Sequence, residues 1–243
     1  MSIKLGVNID HAATLRNARG ENDPSLLEIA FETQKAGADL ITMHLREDRR
    51  HIRDKDVFLV REHVKIPINF EMAPASEMVD IALKLSPKSV CLVPEKREEV
   101  TTEGGLDVAG NIKIIKPVIK KLTDAKIDVF LFTEPDPEAI KISRDLGANG
   151  VEIHTGAYAR AFLNSDAKKF QLDRIISASQ SAAQSGFEFH AGHGLNYHNI
   201  FDLLFLENLV EVNIGHAILS RALFSGLHCA ISDMKSLLTG SHP

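Results

Sequence analysis

The sequence predicts an α/β fold in which eight parallel strands close into a (β/α)8 TIM barrel. Strand-like apolar runs alternate with helical patterns along the 243 residues, and strand–helix units repeating at roughly 30-residue intervals are the pattern of this barrel. The mostly apolar strands are typical of a parallel sheet covered on both faces. The alternative is a doubly wound open sheet, but the first strand ends in Asn8-Ile9-Asp10-His11 and lacks the glycine-rich turn of that fold.

The predicted strands are short runs of apolar residues that end in polar ones. Pro67 stands at the start of the third strand, where its missing N–H group is least disruptive. We find no composition break and no linker rich in Gly and Ser, so we expect one domain over residues 1–243. The eight predicted strands cover residues 4–8, 39–44, 66–71, 89–93, 127–132, 150–154, 187–191 and 210–214.

The predicted helices lie between these strands and carry start and stop signals. Ser76 is a candidate N-cap, and Gly37 and Gly147 each follow the last periodic residue of a helix. Pro117 is expected to kink or split its helix. The predicted helices cover residues 24–37, 56–64, 76–85, 112–122, 137–146, 167–184, 199–205 and 217–238.

Composition and charge exclude several classes of protein. The chain is 44% hydrophobic and 25% charged, with a net charge of −5, which gives no electrostatic footprint for nucleic acid or a membrane surface. No stretch approaches the roughly 20 apolar residues that span a bilayer, and no secretion signal is recognised at the N-terminus. Cys91 and Cys229 are too few for a disulfide framework. We therefore expect a cytoplasmic protein that acts on small molecules.

Polar residues follow almost every predicted strand, whereas the strand beginnings carry few residues that could bind a ligand or transfer a proton. Because a barrel of this class builds its active site at the carboxyl ends of its strands, these residues are expected to meet in one pocket. They are the segments NIDH at 8–11, HLR at 44–46, NFE at 69–71, PEK at 94–96, TE at 133–134, EIHTG at 152–156, AGHG at 191–194 and NIGH at 213–216.

Three of these residues are candidates for acid–base chemistry. Side chains alternate along a strand, so His44, Glu71 and Glu152 can each face the barrel interior. A carboxyl group in a low-dielectric pocket has its charged form disfavoured, which brings its pKa towards neutrality and suits it to proton transfer. The alternative is a structural role for Glu71 and Glu152, bonded to the backbone or to arginine.

Glycines next to histidines after the last two strands predict a phosphate site. Barrels of this class often hold phosphate there, with backbone N–H groups and a helix N-terminus directed at the anion. The alternative is that these glycines only make tight turns. A second anion site is predicted from the cations that follow the first two strands, and two sites imply a bisphosphate or two phosphorylated substrates. These cations are Arg16, Arg19, Arg46, Arg49, Arg50, His51 and Arg53.

The segment 95–110 is long for a connection between a strand and a helix. Such loops are usually functional or disordered, and this one could close over the barrel mouth with Gly104-Gly105 as a hinge. Thr101 or Thr102 could then reach a ligand, although a plain surface loop is the alternative. A catalytic metal, a Schiff-base lysine and a nucleophilic Ser or Cys are disfavoured, because the strand ends lack the paired histidines, inward lysines and sharp turn they need.

With these motifs assembled, the sequence resembles the pyridoxine 5′-phosphate synthase family of the deoxyxylulose-dependent vitamin B6 pathway. The resemblance extends over essentially the whole chain. The motifs that carry it are GVNIDH at 6–11, TLRNARG at 14–20, HLREDRRHI at 44–52, LVPEKR at 92–97, residues 100–110, EIHTG at 152–156, AGHGL at 191–195 and NIGHA at 213–217.

The resemblance implies an activity and a set of site residues. The reaction would condense 3-amino-2-oxopropyl phosphate with 1-deoxy-D-xylulose 5-phosphate into pyridoxine 5′-phosphate, phosphate and water, with no metal or organic cofactor, in a homo-octamer of barrels with extra helices. His44 and Glu71 would be bases, His193 the proton donor, and Glu152 would stabilise a transition state. The sugar phosphate would contact Asp10, His11, Arg46, His51 and Thr101, and the amino-ketone phosphate would contact Asn8, Arg19, Gly194, Gly215 and His216.

Two rival functions stay open on the sequence alone. One is another phosphate-binding barrel, such as a lyase or aldolase acting on a sugar phosphate. The other is a barrel that binds phosphorylated metabolites without catalysis, which would tolerate loss of His44 and Glu71 with effects on affinity only.

Overall fold

Eight parallel strands form a closed barrel in a computed structural model that describes residues 2–95 and 104–240. Each strand pairs with its neighbours in sequence, and β8 closes on β1. This confirms the predicted (β/α)8 TIM barrel. The strands are β1 (Lys4–Asn8), β2 (Leu40–His44), β3 (Ile68–Met72), β4 (Ser89–Leu92), β5 (Asp128–Thr133), β6 (Gly150–His154), β7 (Glu188–Gly192) and β8 (Leu209–Ile214).

The helices surround this barrel, and some stand outside the simple alternation of strand and helix. A short 3₁₀ helix, Ile200–Leu203, replaces the α-helix between β7 and β8. Among the described helices, none combines the length and apolar composition that crossing a bilayer requires. The α-helices are α1 (Asp10–Arg19), α2 (Leu26–Lys35), α3 (Asp54–His63), α4 (Ser76–Leu85), α5 (Ile112–Asp124), α6 (Pro137–Asp145), α7 (Gly156–Ala161), α8 (Ser165–Gln184), α9 (His216–Ser225) and α10 (Leu227–Thr239).

Three helical regions differ from the sequence prediction. Helix α7, Gly156–Ala161, lies between the predicted sixth strand and the next predicted helix and was not predicted. Helix α1 was not predicted, because its buried face carries two alanines and the charged Asp10 and Arg16, and so shows little apolar periodicity. The predicted helix 217–238 is two helices, α9 and α10, separated at Gly226. Gly226 has a φ of 80°, a left-handed conformation that glycine adopts without steric cost and that ends α9. Pro117 does not split α5, which continues past it to Asp124.

The apolar core lies between the sheet and the helices, whereas the barrel interior contains many polar groups. Inside, the Thr42 hydroxyl donates to Oδ1 of Asn213 at 2.6 Å, and Nδ2 of Asn213 donates to Glu152 at 2.9 Å. The Ser89 hydroxyl donates to Oδ1 of Asn69 at 3.1 Å. Barrel interiors are usually filled by branched apolar side chains. This polar filling therefore brings ionisable groups beneath the mouth, where the site lies.

A buried ion pair joins α1 to α3 beside the mouth. The guanidinium of Arg16 makes two hydrogen bonds to the Asp56 carboxylate, at 2.8 and 2.9 Å, and a third to the carbonyl of His51. Asn17 donates to the same carbonyl at 2.8 Å. Since both charged partners are buried, the pair holds the loop after β2 in one position relative to β1.

Candidate active site

A cavity of about 740 Å³ opens at the carboxyl ends of the strands. The strand register brings its polar residues together, because His44 on β2 pairs with Glu71 on β3. Of the predicted site residues that the structure describes, all but Arg19 line this cavity. Thr101 lies outside the described residues. The predicted residues that line the cavity are Asn8, Asp10, His11, His44, Arg46, His51, Glu71, Glu152, His193, Gly194, Gly215 and His216.

Two carboxyl groups at the cavity floor have raised pKa values. Burial raises the pKa of Glu71 well above its ordinary value, and the negative charges of Glu152 and Asp10 raise it further. Burial also raises the pKa of Glu152 to about 7, although the charge of His190 and the hydrogen bond from Asn213 oppose the shift. The raised pKa of Glu152 allows this group to exchange protons near neutral pH, and burial disfavours the charged form of Glu71 in the same way.

His44 lies between two glutamates at the end of β2. Its Nε2 is 2.9 Å from Oε1 of Glu95, and its Nδ1 is 4.0 Å from Oε2 of Glu71. Its backbone N–H donates to Oδ1 of Asp10 at 2.9 Å. The other oxygen of Asp10 accepts from Nδ2 of Asn8 at 3.0 Å. Asp10 thus connects the ends of β1 and β2 and holds the backbone at His44.

Three other histidines of the cavity are uncharged near neutral pH. Burial lowers the pKa of His193 to about 4, and the nearby His154, Arg160 and His11 add to the shift. Burial likewise lowers the pKa of His11 and His51. Nδ1 of His51 accepts the backbone N–H of Ile52 at 2.9 Å, so the neutral ring carries its proton on Nε2.

The glycines after β7 and β8 are required by close packing and by backbone conformation. Gly194 has a φ of +79°, and a side chain at Gly215 would meet the Asn8 carbonyl oxygen at 2.8 Å. Helix α9 begins at His216, directly after Gly215, and no side chain caps its first turn. A helix N-terminus with uncapped N–H groups attracts anions. This part of the cavity can therefore hold a phosphate group.

Most arginines of the predicted second anion site are engaged by acidic side chains or amides of the protein. Arg16 is bound to Asp56, Arg49 to Asp54, and Arg53 to Asn17. Arg46 and Arg50 line the cavity wall. The side chain of Arg19 is 79% exposed and pairs with Glu21 at 3.7 Å, away from the cavity lining. The cluster is therefore smaller than predicted, because several of its arginines bind acidic or amide side chains of the protein itself.

The predicted lid is only partly within the described residues. Gly105 donates its N–H to Oε1 of Glu134 at 3.0 Å, and a side chain at Gly105 would approach the Glu134 nitrogen to 2.2 Å. Gly105 is therefore needed for close packing against the end of β5. Residues 96–103, with Thr101 and Thr102, lie outside the described part of the chain, so their predicted roles stay predictions.

Two functional neighbours were not singled out from the sequence. Asn213 was noted only as part of a strand end, yet it bonds Glu152 and Thr42 inside the barrel. Glu95 was noted as part of a charged loop, yet it contacts His44. The only sequence signal for either was its position directly at a strand end. Asp10, His44 and His51 also bring side-chain oxygen and nitrogen atoms within 4.8 Å of one another.

The fold and the site define a class of protein, a (β/α)8 barrel whose mouth combines ionisable side chains with a helix N-terminus that no side chain caps. The comparison with known families is more specific. The family model described as pyridoxal phosphate biosynthesis protein PdxJ matches residues 5–240. The chain belongs to this family.

Curated relatives agree over almost the full length. A protein of Photobacterium profundum named pyridoxine 5′-phosphate synthase is 53% identical over 234 residues, covering 96% of each chain. A protein of the same name from Aliivibrio fischeri is 50% identical and covers 99% of this chain and 98% of its own.

Solved structures confirm the fold. 3-Hexulose-6-phosphate synthase superposes with a TM-score of 0.66 at 16% identity, covering 98% of this chain and 99% of that one. Thiamine phosphate pyrophosphorylase from Pyrococcus furiosus superposes with a TM-score of 0.65 at 14% identity, covering 99% and 98%. At this identity the likeness concerns the barrel architecture.

Proposed function

We propose that the chain is a pyridoxine 5′-phosphate synthase. It condenses 3-amino-2-oxopropyl phosphate with 1-deoxy-D-xylulose 5-phosphate into pyridoxine 5′-phosphate, inorganic phosphate and water. Its family and the shared name of its relatives support this activity. The observation that carries the proposal is that His44, Glu71 and His193 border one cavity. Imine formation, loss of water and ring closure each move protons, so the reaction needs several acid–base groups around one pocket.

His44 and Glu71 act as the bases in this proposal. They are neighbours across β2 and β3, with 4.0 Å between Nδ1 and Oε2, so they serve the same part of the substrate. A carboxyl group with a raised pKa is a stronger base once ionised. Glu152 lies deeper, bonded to Asn213, and stabilises positive charge that develops in a transition state.

His193 acts as the proton donor, and this role depends on the bound substrates. Burial and nearby cationic groups lower the pKa of His193 to about 4, so the ring is neutral near pH 7. A phosphate dianion beside the ring favours the charged imidazolium and raises the pKa. Binding of the phosphorylated substrates therefore protonates His193, which later donates this proton.

The two phosphates bind at different ends of the cavity. Gly194, Gly215 and His216, with Asn8, hold the amino-ketone phosphate at the start of α9, and Arg19 contributes from outside the cavity lining. Asp10, His11, Arg46 and His51, with Thr101, hold the deoxyxylulose phosphate. Holding both molecules side by side removes much of the entropic cost of a bimolecular encounter.

The direct test is to mix purified protein with both substrates and to follow phosphate release together with the absorbance of a new pyridine ring. Both signals should rise with equal stoichiometry, and each substrate alone should give neither. His44→Ala and Glu71→Ala should abolish turnover while circular dichroism shows a folded protein. Absence of the pyridine product, or a substrate adduct on lysine trapped by borohydride, would contradict the proposal.

The chain acts, in this proposal, as one domain over residues 1–243 and as a homo-octamer in the cytoplasm, without a metal or organic cofactor. Large exposed apolar side chains support self-association; examples are Leu163, in the turn between α7 and α8 and 97% exposed, and Phe224 on α9, 92% exposed. Two free cysteines support a reducing compartment, and the net charge of −5 supports small-molecule partners over nucleic acid. Native mass spectrometry should give eight times the chain mass of 26.8 kDa, and a lower assembly would contradict the octamer.

A further inference from the structure

Glu95 is held in one position by two hydrogen bonds at the edge of the site. Its Oε1 lies 2.9 Å from Nε2 of His44, and its Oε2 accepts the backbone N–H of Glu47 at 3.0 Å. The side chains of Glu95 and His44 are each 6% exposed. Both carboxylate oxygens therefore have partners, and the carboxylate has little freedom to turn away from the ring.

The environment of Glu95 favours its charged form. Burial by itself would raise the pKa of Glu95, but the hydrogen bonds from His44 and from the Glu47 backbone, with the charges of His44 and Arg46, hold it below its ordinary value. An ionised carboxylate only accepts hydrogen bonds. The atom of His44 that faces it must therefore donate, so Nε2 of His44 carries a proton.

This assignment determines which nitrogen of His44 is basic. A neutral imidazole carries one proton, so a proton on Nε2 leaves the lone pair on Nδ1. Nδ1 is the atom 4.0 Å from Oε2 of Glu71, and both side chains line the cavity. The basic nitrogen and the second proposed base therefore border the same region.

We propose that Glu95 is a positioning residue that keeps the proton of His44 on Nε2 and so leaves Nδ1 as the atom that takes a proton from substrate. This inference rests on the proposed function, in which His44 is a base. In the proposed step, the substrate proton moves to Nδ1 and the ring becomes an imidazolium. Glu95 then lies against a full positive charge, which it stabilises, and it accepts no proton itself, as for the buried carboxylate of a catalytic triad.

Glu95→Gln separates this role from a merely structural one. The Glu47 N–H still needs an acceptor, so the amide oxygen of the new side chain faces it and the amide NH₂ group faces His44. Nε2 then has to accept, and the proton of His44 moves to Nδ1. The glutamine side chain keeps the size and both contacts of Glu95. The basic nitrogen of His44 is then Nε2, which faces the amide, and no longer Nδ1, which faces the cavity.

The experiment combines ¹⁵N NMR of the His44 ring with steady-state kinetics on the intact protein. The ring signals are assigned by their loss in His44→Gln. We expect the Nε2–H form in the wild type and the Nδ1–H form in Glu95→Gln. The kcat of Glu95→Gln should fall by about 100-fold or more, with the KM of each substrate changed less than about threefold and an unchanged Tm.

The matched control is Glu32→Gln. Glu32 makes a similar pair with His228, with 2.9 Å between Oε1 and Nδ1, at an exposed place between α2 and α10. This variant should leave kcat unchanged. If Glu95→Gln is unstable, Glu95→Ala replaces it, and added formate should restore part of its kcat whereas formamide should not.

Two outcomes would overturn the inference. One is the same His44 tautomer in the wild type and in Glu95→Gln, and the other is an unchanged kcat in Glu95→Gln. A wild-type protein that forms no pyridoxine 5′-phosphate would instead contradict the proposed function, and the NMR comparison would still test the assigned tautomer.

Discussion

Two histidine–glutamate pairs of similar geometry lie on opposite sides of the barrel mouth. His44 ends β2 and meets Glu95, whereas His154 ends β6 and meets Glu134 through its Nδ1, again at 2.9 Å. β2 and β6 are four strands apart in the closed barrel of eight. Both imidazoles are buried, with 6% and 1% of their side chains exposed. The two rings are therefore similarly buried, although Glu134 is 40% exposed and Glu95 only 6%.

The pairs differ at the second ring nitrogen. His44 lines the cavity with Nδ1 towards Glu71, whereas Nε2 of His154 is buried and has no hydrogen-bond partner among the described residues. The ring of His154 packs against that of His193, with 5.0 Å between centroids. A histidine–carboxylate pair therefore indicates a catalytic base only where the remaining nitrogen reaches the cavity, and His154 is better placed to support His193.

The largest expected effect comes from exchanging each histidine for glutamine. His44→Gln should lower kcat/KM by about 10²- to 10⁴-fold, the usual contribution of a general base. His154→Gln should lower it by less than about tenfold, because His154 does not line the cavity. Steady-state assays with both substrates would measure this, with thermal unfolding as the control for folding. Equal losses of kcat/KM in the two variants would contradict the expected difference between His44 and His154.

The next effect concerns Glu152, two residues before His154 on β6. Its pKa is raised from 4.5 to about 7 in the folded protein. Between these pH values the folded state keeps a proton that the unfolded state has lost. The contribution of Glu152 to stability is thus fully present below about pH 4.5 and is lost as the pH rises to about 7, by at most roughly 3 kcal/mol.

Glu152→Gln cannot titrate and should remove this part of the pH dependence. Urea unfolding at pH 5 and pH 7.5 should show a smaller loss of unfolding free energy in the variant than in the wild type. His193, with a pKa lowered from 6.5 to about 4, contributes the opposite slope, since its stability is lost as the pH falls through that window. The difference between wild type and variant reports the titration of Glu152 together with the effect of its charge on the pKa of Glu71. Equal pH dependence in both would show that the pKa of Glu152 is not raised.

A smaller effect is expected for Glu134→Gln. Glu134 is 40% exposed and acts on His154, which lies outside the cavity lining. Its kcat should stay within about tenfold of the wild type, in contrast to the loss of about 100-fold expected for Glu95→Gln. Parallel kinetics of the two variants would measure the contrast. A loss in Glu134→Gln as large as that in Glu95→Gln would mean that the His154 side takes part directly in proton transfer.

The smallest effect is expected for Arg19→Ala, because Arg19 is outside the cavity lining and is mostly exposed. Stability should change by less than about 0.5 kcal/mol, and kcat should stay unchanged. If Arg19 moves onto the amino-ketone phosphate, the KM for that substrate should rise severalfold. The control is Arg144→Ala on the distant α6, which should change neither KM. A rise confined to the KM for the sugar phosphate would contradict the assignment of the two phosphate-binding sites.

Much of the site could be predicted from the sequence because parallel strands in a barrel all end on the same side. His44 ends β2, Glu71 and Glu152 lie within β3 and β6, and His193 directly follows β7. Their meeting therefore needed no knowledge of side-chain contacts. Helix α1 escaped prediction because its buried face carries charged residues, and their pairing with a partner 40 residues away is not visible in local periodicity.

The sequence by itself determined the order and direction of the strands and the residues at their ends, because local apolar runs and turn residues encode these features. Only the tertiary structure decided which charged side chains are engaged by other residues of the protein. Arg16 is engaged by Asp56, and Glu95 reaches His44 from 51 positions away. Such contacts depend on strand register and loop position, and these arise only when the barrel closes. The same closure buries Glu71 and Glu152 together, which raises their pKa values.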